Sequence, residues 1–380
     1  MSEVRIALGA TLLERALNGS RLDGVGIYVE NLYAELRRTA SVIPACFPRK
    51  PWEPRLQRNL PGKASFRLAY GISAALSAGT GLPFAGARRV EQGIDVYHAP
   101  DHLIPKLRRV PVVATICDAL VVKRPDWIDA GPGAFRSRLL KSATRYADHV
   151  IAISAAMIPE LVEHLGIPES SISVVHMGVG PQWSERIPQQ RLQEVLEKYR
   201  LAAPYFLFVG TLQPRKNVDA ILQAYQSLPE DLRSRYRLVI AGQAGWGSAT
   251  LVRRLRELEK AGACRWLDYV AAHELRVLYQ GAAAFVFPSL AEGFGIPVLE
   301  AFASGVPVVT SNVSSLPEVA GDAALLVDPA SGEELRNAMY RLATEPALAA
   351  ALVQKGRSRA AEMSWEKCAA KTLEVYRKLC

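Results

Sequence analysis

Two carboxylates flank a glycine turn in the apolar stretch LAEGFGIPVLEAFASG, residues 290–305. Glu292 precedes the turn, and Glu300 lies near the end of the first turn of a helix predicted to begin at Pro297. Carboxylates accept hydrogen bonds from vicinal hydroxyl groups, so both residues are candidates for binding a sugar or a ribose. The alternatives are a solvated loop acid at 292 and stabilisation of the helix dipole by Glu300.

The turn between these carboxylates has the composition of an anion-binding loop. Gly293 and Gly295 permit a tight turn whose amide groups point outward. Together with the N-terminus of the following helix, those amides form a predicted cradle for an anion or a hydroxyl group.

Two adjacent cations occupy a position where a helix would repel them. In YFLFVGTLQPRKNVDAILQAY, Arg215 and Lys216 follow a predicted strand and precede a helix with Asn217 as its predicted N-cap. An anion bound at the positive end of the helix dipole would resolve the mismatch, and a diphosphate matches both cations best. The alternative is that both side chains extend into water, where screening makes the repulsion small.

The chain is long enough for two domains of an α/β protein. Short apolar runs alternate with helical patterns over its 380 residues, which predicts two sets of β–α units with parallel sheets. The polar, proline-flanked segment GPQWSERIPQQRLQEVLEKYRLAAP separates the sets, so we expect domains at 1–185 and 186–364. In such sheets, ligands bind beyond the carboxyl ends of the strands.

Cysteine usage and the N-terminus bear on the compartment. The five cysteines show no metal-ligand or CxxC spacing, and the first residues lack a signal-peptide pattern. We therefore expect a reduced, cytoplasmic protein without a metal site of cysteine and histidine.

The net charge of +9 is concentrated in one segment. Residues 49–89 carry eight basic residues against the single acid Glu53, and FRLAYGISAAL places an apolar stripe at helical spacing within this segment. The pattern matches the headgroup zone of an anionic membrane, or equally a helix covering its own sheet with a solvated basic face. Small and polar residues make a transmembrane span at 68–87 a poor interpretation, and no nucleic-acid recognition motif accompanies the charge.

The longer motifs resemble a known family. VGTLQPRKN and PSLAEGFGIPVLEAFASGVPVVTSNVSSLPEVAGDAALLVDP are similar to the signature of the retaining glycosyltransferases of family 4, also called glycosyl transferases group 1. Glu292, seven residues and Glu300 match that family's two-glutamate motif. The similarity continues through DGVGIYVENL, YHAPDH, TICDAL, ADHVIAIS and VVHMGV, and leaves only about residues 49–93 outside it.

The resemblance implies the α/β GT-B fold, in which two Rossmann-like domains with parallel sheets face a cleft. It also implies that a C-terminal helix, residues 365–380, crosses back onto the first domain. DGVGIYVENL with YHAPDH is most similar to bacterial mannosyltransferases of cell-surface polysaccharide assembly. On that analogy the expected reaction is transfer of mannose from GDP-mannose to a glycan or lipid-linked acceptor.

Site residues follow from the same resemblance. Arg215 and Lys216 would hold the diphosphate, Glu292 and the turn amides the donor sugar, and Glu300 the ribose. No divalent metal or other cofactor is implied, because the cations and the helix end replace it. The expected donor-binding residues are Gly24, Gly26, Gly210, Arg215, Lys216, Glu292, Gly293, Phe294, Gly295, Ile296 and Glu300. The expected catalytic residues are Asp118, Glu292, Lys216, Arg215 and His98.

The sequence departs from the family's pattern in TICDAL. Many relatives carry His-Asp where this chain has Cys117-Asp118, and a cysteine is a poor hydrogen-bond donor. Asp118 is the first candidate to take the role of that histidine, followed by His98, Asp101 and His102.

Other functions remain open on the sequence alone. They are transfer from a UDP-sugar, a sugar-nucleotide epimerase or phosphorylase of the same architecture, and a non-catalytic nucleotide-sugar binder. The expected partners are a nucleotide-sugar, an acceptor glycan or lipid, and an anionic membrane surface at 49–89, but no nucleic acid. The expected location is the cytoplasm, at the inner face of the membrane if that surface binds lipid.

Overall fold

The computed structural model describes residues 4–48, 60–124, 127 and 140–380, which form two compact units. Unit 1 combines the described residues up to 124, residues 140–177 and Trp365–Cys380, whereas unit 2 comprises Gly178–Ser364. The chain therefore divides between Met177 and Gly178, earlier than the division expected after residue 185. Each unit is built on a fully parallel sheet, as the α/β pattern predicts.

The sheet of unit 1 has the order β3-β2-β1-β4-β5-β6-β7, with all neighbours parallel. Strand order reverses between β1 and β4, and in doubly wound sheets ligands bind beyond the carboxyl ends of the strands at such a reversal. The strands are β1 Arg5–Gly9, β2 Ser41–Cys46, β3 Ala64–Ser65, β4 Val96–Ala99, β5 Val112–Ile116, β6 His149–Ala152 and β7 Ile172–Val174. The helices between them are α1 Thr11–Leu17, α2 Gly24–Leu36, α3 Tyr70–Thr80, α4 Ala87–Val90, α5 Leu120–Lys123 and α6 Ile158–Leu165.

Apolar runs of the sequence predict every strand of this sheet except β2 and β3; these runs are VRIALGA, DVYHAP, VPVVATICD, HVIAIS and ISVVHMG. Pro44 lies within β2, and a proline argues against a strand because it cannot donate to the ladder. The residue is tolerated here because β3 pairs only with Ala45 and Cys46, so the preceding part of β2 is the edge of the sheet.

The sheet of unit 2 has the order β10-β9-β8-β11-β12-β13, again fully parallel, and its order reverses between β8 and β11. All six strands coincide with apolar runs of the sequence, which are YFLFVGT, YRLVIAG, RWLDYV, AAFVFPS, VPVVTS and AALLVD. They are β8 Tyr205–Val209, β9 Arg237–Ala241, β10 Cys264–Leu267, β11 Ala282–Phe287, β12 Val308–Ser311 and β13 Ala324–Val327. The helices are α7 Gln189–Tyr199, α8 Val218–Gln226, α9 Glu230–Arg235, α10 Ala249–Lys260, α11 Ala272–Gly281, α12 Ile296–Ala303, α13 Leu316–Ala320, α14 Gly332–Thr344 and α15 Pro346–Glu362.

The last helix, α16 (Trp365–Arg377), returns to unit 1. It packs against α2, where the rings of Tyr28 and Trp365 lie 6.2 Å apart, and it buries Cys368 and Tyr376. This is the placement that the family resemblance implies for residues 365–380.

Helix α3 exposes part of the apolar stripe in the basic segment. Its side chains Ile72 and Leu76 are 51% and 53% exposed, while it buries Ser73, Ala74 and Ser77. The stripe residues Ile72 and Leu76 therefore face away from the core of unit 1, whereas Phe66 and Ala74 are buried in it. The rest of the segment, residues 49–59 with Arg49, Lys50, Glu53, Arg55 and Arg58, lies outside the described residues.

No helix within the described ranges is both long and apolar enough to cross a bilayer.

Candidate active site

The order reversal in unit 2 brings two charged loops to one edge of its sheet. Arg215 and Lys216 lie in a 3-10 turn, Pro214–Lys216, after β8, and Glu292 lies in the loop after β11. Because β8 and β11 are adjacent parallel strands, both loops leave the sheet at its carboxyl edge.

These three side chains form one ion cluster, which we call the Arg–Lys–Glu cluster. Arg215 Nη1 lies 2.8 Å from Glu292 Oε2, and Lys216 Nζ lies 2.5 Å from Glu292 Oε1. Burial by itself raises the pKa of Glu292, but the charges of Lys216 and Arg215 outweigh it and lower the pKa from 4.5 to about 2. Two cations and one carboxylate leave a net positive charge at this edge, which an anionic ligand would neutralise.

Lys216 is the most confined of the cations. It is only 8% exposed, and its Nζ lies 4.8 Å from the centre of the Phe287 ring at the end of β11. An ammonium group over an aromatic face gains electrostatic stabilisation that grows as water is excluded. The lysine is therefore held in one position between the ring and the carboxylate of Glu292.

Asn217 ties the loops of unit 2 together instead of capping α8. It occupies the N-cap position with a left-handed backbone (φ 56°), but its side chain makes no cap hydrogen bond, so the predicted capping role is wrong. Its Nδ2 instead donates to the carbonyl oxygens of Pro288 and Pro329, at 3.1 and 2.8 Å. The loops after β8, β11 and β13 thus meet at one amide group.

Two serines after β12 fix the backbone of the glycine turn. Ser314 Oγ donates to the carbonyl oxygen of Glu292, and the single hydroxyl proton of Ser315 is shared between the carbonyl oxygens of Glu292 and Phe294, at 2.9 and 2.7 Å. Gly295 has a φ of 120°, and a Cβ there would lie 2.9 Å from Leu316, so no larger residue is accommodated.

The expected donor residues around this turn differ in accessibility. The side chain of Phe294 is buried, so only its backbone is available to a ligand, whereas Gly293 and Ile296 are partly exposed. Glu300 lies in α12 and is 8% exposed, and it accepts a hydrogen bond from Tyr279 at 3.2 Å. Burial raises the pKa of Glu300 from 4.5 to about 7, and the Tyr279 hydrogen bond opposes this only in part.

The glycine loop after β9, at the same edge of the sheet, is not among the expected site residues, although Gly210 beside it is. Gly210 begins the loop after β8, and a Cβ on Gly242, after β9, would lie 1.9 Å from the carbonyl oxygen of Gly210. A Cβ on Gly245 would lie 2.6 Å from the carbonyl oxygen of Leu212. These glycines let the loop after β9 support the loop that carries Arg215 and Lys216. The signal was present in the sequence as three glycines within residues 242–247.

In unit 1 the expected glycine loop is the start of a helix. Gly24 and Gly26 lie in the first turn of α2, and the Asp23 side chain caps it by accepting from Gly26 N at 2.9 Å. A Cβ on Gly24 would meet no described protein atom within 4 Å, whereas one on Gly26 would lie 2.6 Å from the end of the Leu22 side chain. A larger residue at 26 would therefore displace Leu22, but no described residue of unit 1 requires a glycine at 24.

His98 does not line an accessible site, so its predicted catalytic role is wrong. It is fully buried in β4, its Nε2 shares a 2.8 Å hydrogen bond with Thr115 Oγ1, and its Nδ1 shares one of 2.6 Å with the Tyr376 hydroxyl. Thr115 in turn shares a hydrogen bond with Tyr28. Burial lowers the pKa of His98 to about 3, so the neutral ring joins α2, β4, β5 and α16.

Other polar residues do collect at the carboxyl edge of unit 1. Asp118 is partly exposed after β5, and its Oδ1 accepts a hydrogen bond from Leu120 N at 3.1 Å. His102 follows β4 and is partly exposed, and its Nε2 accepts a hydrogen bond from Cys117 N at 3.2 Å. Asp101 is buried, which raises its pKa to about 6. Burial likewise raises the pKa of the Cys117 thiol, so this cysteine is a neutral, buried side chain.

Comparison with protein families covers most of the chain in two parts. Residues 22–183 match the model for glycosyltransferase family 4, and residues 194–359 match the model for glycosyl transferases group 1.

Individual relatives have closely related names. O-antigen chain mannosyltransferase B of Escherichia coli is 34% identical over 286 residues, which cover 75% of this chain and 74% of the relative. Serotype-specific mannosyltransferase WbdA of Escherichia coli is 32% identical over 238 residues, 61% of this chain but only 29% of WbdA.

Among solved structures, sucrose-phosphate synthase from Thermosynechococcus elongatus matches 99% of both chains with a TM-score of 0.75 at 21% identity. This likeness concerns the fold alone, and it confirms the predicted GT-B architecture.

Proposed function

The chain belongs to the family 4 glycosyltransferases, and on that premise we propose that it transfers mannose from GDP-mannose to a glycan or lipid-linked acceptor in cell-surface polysaccharide assembly. The names of the Escherichia coli relatives support mannose as the transferred sugar. The observation that carries the proposal is the buried Arg–Lys–Glu cluster at the strand-order reversal of unit 2.

The cluster supplies what departure of a nucleoside diphosphate requires. Negative charge develops on the leaving phosphate as the sugar bond breaks, and preorganised cations at a dry site stabilise it strongly. Lys216 is fixed by Phe287 and Glu292, so little reorganisation accompanies the reaction. Arg215 is more exposed, with 21% of its side chain accessible, and would contact the outer oxygen atoms of the diphosphate.

Because these side chains provide the positive charge, we propose that transfer needs no divalent metal. Addition of EDTA should then leave the transfer rate unchanged. A rate that falls with EDTA and returns with Mg²⁺ would show that the two cations are insufficient.

The rest of the donor would contact groups arranged around the cluster. The amides of the 293–295 turn and the carboxylate of Glu292 would hold the sugar, and Glu300 would accept hydrogen bonds from ribose hydroxyls. We also propose that the backbone at Gly24 contacts the phosphates, since a Cβ at this residue would meet no described protein atom within 4 Å. The acceptor hydroxyl would attack from the face that the diphosphate leaves, so the sugar keeps its configuration.

We further propose that the acceptor is presented at an anionic membrane surface. Ile72, Leu76 and, just after α3, Leu82 are each more than half exposed. The exposed cations Arg67, Arg88 and Arg89 belong to the same segment. Apolar side chains flanked by cations match a headgroup layer, where burial and attraction to anionic lipid add together. The protein would then work in the cytoplasm, at the inner face of the membrane.

Thermal stability against nucleotides tests the donor proposal. GDP, UDP, ADP and TDP would be compared on the wild type and on Lys216→Ala, with Lys198→Ala as the matched control. Lys198 is also paired with a buried carboxylate, Glu274, but lies on α7, outside the cluster. GDP at a hundred times its dissociation constant should stabilise the wild type and Lys198→Ala by about 2.7 kcal/mol, and Lys216→Ala much less.

Thermal stabilisation by UDP and not by GDP would favour the alternative in which the donor is a UDP-sugar. Equal stabilisation of Lys216→Ala and Lys198→Ala by the nucleotide would show that the diphosphate does not bind at the cluster.

Flotation with liposomes tests the membrane proposal. The wild type should float with vesicles that contain anionic lipid, and the double variant Ile72→Ser and Leu76→Ser should not. Leu326→Ser, which changes a residue of unit 2 that is 38% exposed, is the control and should float like the wild type. Failure of the wild type to bind anionic vesicles would refute the proposal.

A further inference from the structure

The reversal of strand order in unit 1 has its own set of polar groups. β4 lies between β1 and β5, and the loops after β4 and β5 carry His102 and Asp118. Ligands of doubly wound sheets bind at this edge, beyond the carboxyl ends of the strands. The start of α2, with Asp23 as its cap, contributes a charge that acts on the same histidine.

His102 is held in an unusual conformation. Its φ is 62°, in the left-handed region that non-glycine residues seldom occupy. Its Nε2 accepts a hydrogen bond from the backbone N–H of Cys117 at 3.2 Å. An accepting Nε2 assigns the proton of the neutral ring to Nδ1, which becomes a hydrogen-bond donor in a fixed direction.

That donor has no acceptor among the described residues. Within the described ranges, Nδ1 of His102 makes no hydrogen bond, although the ring is partly buried. Burial also lowers the pKa of His102, whereas the charges of Asp118 and Asp23 act in the opposite direction. His98, by comparison, is fully buried with both ring nitrogens bonded.

We infer that His102 contacts the substrate and that its Nδ1–H donates a hydrogen bond to a hydroxyl oxygen of a sugar. The inference rests on the proposed function, because it assumes that a sugar reaches this edge of unit 1. The backbone amide of Cys117 orients the His102 ring.

Two substitutions distinguish the effect of the Nδ1–H hydrogen-bond donor of His102 from the effect of its left-handed backbone. His102→Gly removes the ring without a penalty at positive φ, and His102→Asn keeps an N–H near the place of Nδ1 in a residue that tolerates this conformation. We expect His102→Gly to lose tenfold or more in kcat/KM for transfer, and His102→Asn to recover most of that loss. Both variants should lower Tm to a similar, modest extent, because each removes the acceptor of the Cys117 N–H, and both should keep the wild-type thermal response to GDP.

His98→Asn is the control. Because it breaks the buried hydrogen-bond chain that joins α16 to the sheet, it should lower Tm. The inference is overturned if His102→Gly transfers at the wild-type rate. It is also overturned if His102→Asn and His102→Gly lose activity equally along with Tm, since that result indicates a structural role.

The same variants show whether the hydroxyl that accepts from His102 belongs to the transferred sugar or to the acceptor. A loss in donor hydrolysis without acceptor assigns the hydroxyl to the transferred sugar, and a loss confined to KM for the acceptor assigns it to the acceptor. If the wild type binds no nucleotide and transfers no sugar, the proposed function fails, and this inference fails with it. If the wild type transfers and His102→Gly does too, only this inference fails.

Discussion

Replacing Glu292 by glutamine would leave the buried cation Lys216 and the partly exposed cation Arg215 without their counter-charge. The pKa of Glu292 is about 2 in the folded protein against 4.5 ordinarily, because Lys216 and Arg215 outweigh the effect of burial. Each pKa unit corresponds to about 1.4 kcal/mol, so the charged carboxylate contributes about 3 kcal/mol relative to its neutral form. This contribution is fully present above pH 4.5 and is lost as the pH falls through about 2. At neutral pH we therefore expect Glu292→Gln to lower the free energy of unfolding by about 3 kcal/mol.

The assay is a thermal melt with and without pyrophosphate. For a unit of this size, about 3 kcal/mol corresponds to roughly 6–12 °C in Tm. If the cluster binds a diphosphate, pyrophosphate restores the missing negative charge and raises the Tm of Glu292→Gln more than that of the wild type. The matched control is Glu274→Gln, which removes a buried carboxylate paired with Lys198 at 2.6 Å outside the cluster. It should also lose stability, but without rescue.

Two results would refute this reasoning. If pyrophosphate stabilises Glu292→Gln, Glu274→Gln and the wild type equally, the anion does not bind at the cluster. If Glu292→Gln melts with the wild type at neutral pH, the carboxylate does not offset the charges of Lys216 and Arg215.

Further predictions concern neighbouring positions. Gly24→Ala should keep the wild-type Tm, because no described protein atom lies within 4 Å of the new Cβ, but it should lower transfer at least tenfold. Gly26→Ala should lower Tm, because its Cβ would displace the Leu22 side chain. Full transfer activity of Gly24→Ala would exclude a phosphate contact at residue 24. Glu300→Gln should raise the free energy of unfolding by up to about 3 kcal/mol, because the folded pKa is about 7. That gain should be absent at pH 4, appear as the pH rises from 4.5 to 7 and then stay constant, which urea unfolding at pH 4 and pH 8 would check. The same substitution should weaken the binding of a nucleoside diphosphate. Asn217→Ala should cost about 2 kcal/mol through its two lost hydrogen bonds and weaken GDP binding, whereas an unchanged GDP response would show that the tied loops do not shape the site.

The strands were predictable because buried parallel strands are nearly continuous apolar runs. β2 was missed because Pro44 argues against a strand, and only the short length of β3 makes it acceptable there. The positions of Arg215, Lys216 and Glu292 after β8 and β11 followed from the same pattern.

The pairing within the Arg–Lys–Glu cluster could not be predicted, because the order of strands decides which loops meet. Lys216 and Glu292 are 76 residues apart, and they meet only because β8 and β11 are neighbours. From the sequence, the two cations are expected to bind a phosphate and the carboxylate a sugar, and no ion pair between the cations and the carboxylate is expected.

His98 was assigned wrongly for a related reason. A histidine at the end of an apolar strand has the same local sequence whether it faces a ligand or the core. Its partners Thr115 and Tyr376 lie in β5 and α16, and Thr115 in turn bonds Tyr28 of α2, so no local pattern indicates this chain of hydrogen bonds. His102 differs in its left-handed φ, which the sequence alone does not reveal.

The most direct test is transfer itself, followed by NMR of the product. Wild-type protein and Lys216→Ala would be incubated with GDP-mannose and an oligosaccharide acceptor, with UDP-glucose as the competing donor. The account predicts an α-linked mannoside from GDP-mannose, formed by the wild type and reduced by orders of magnitude in Lys216→Ala. A β-linked product would contradict retention, and transfer only from UDP-glucose would contradict the donor. Undiminished transfer by Lys216→Ala would contradict the role of the cluster.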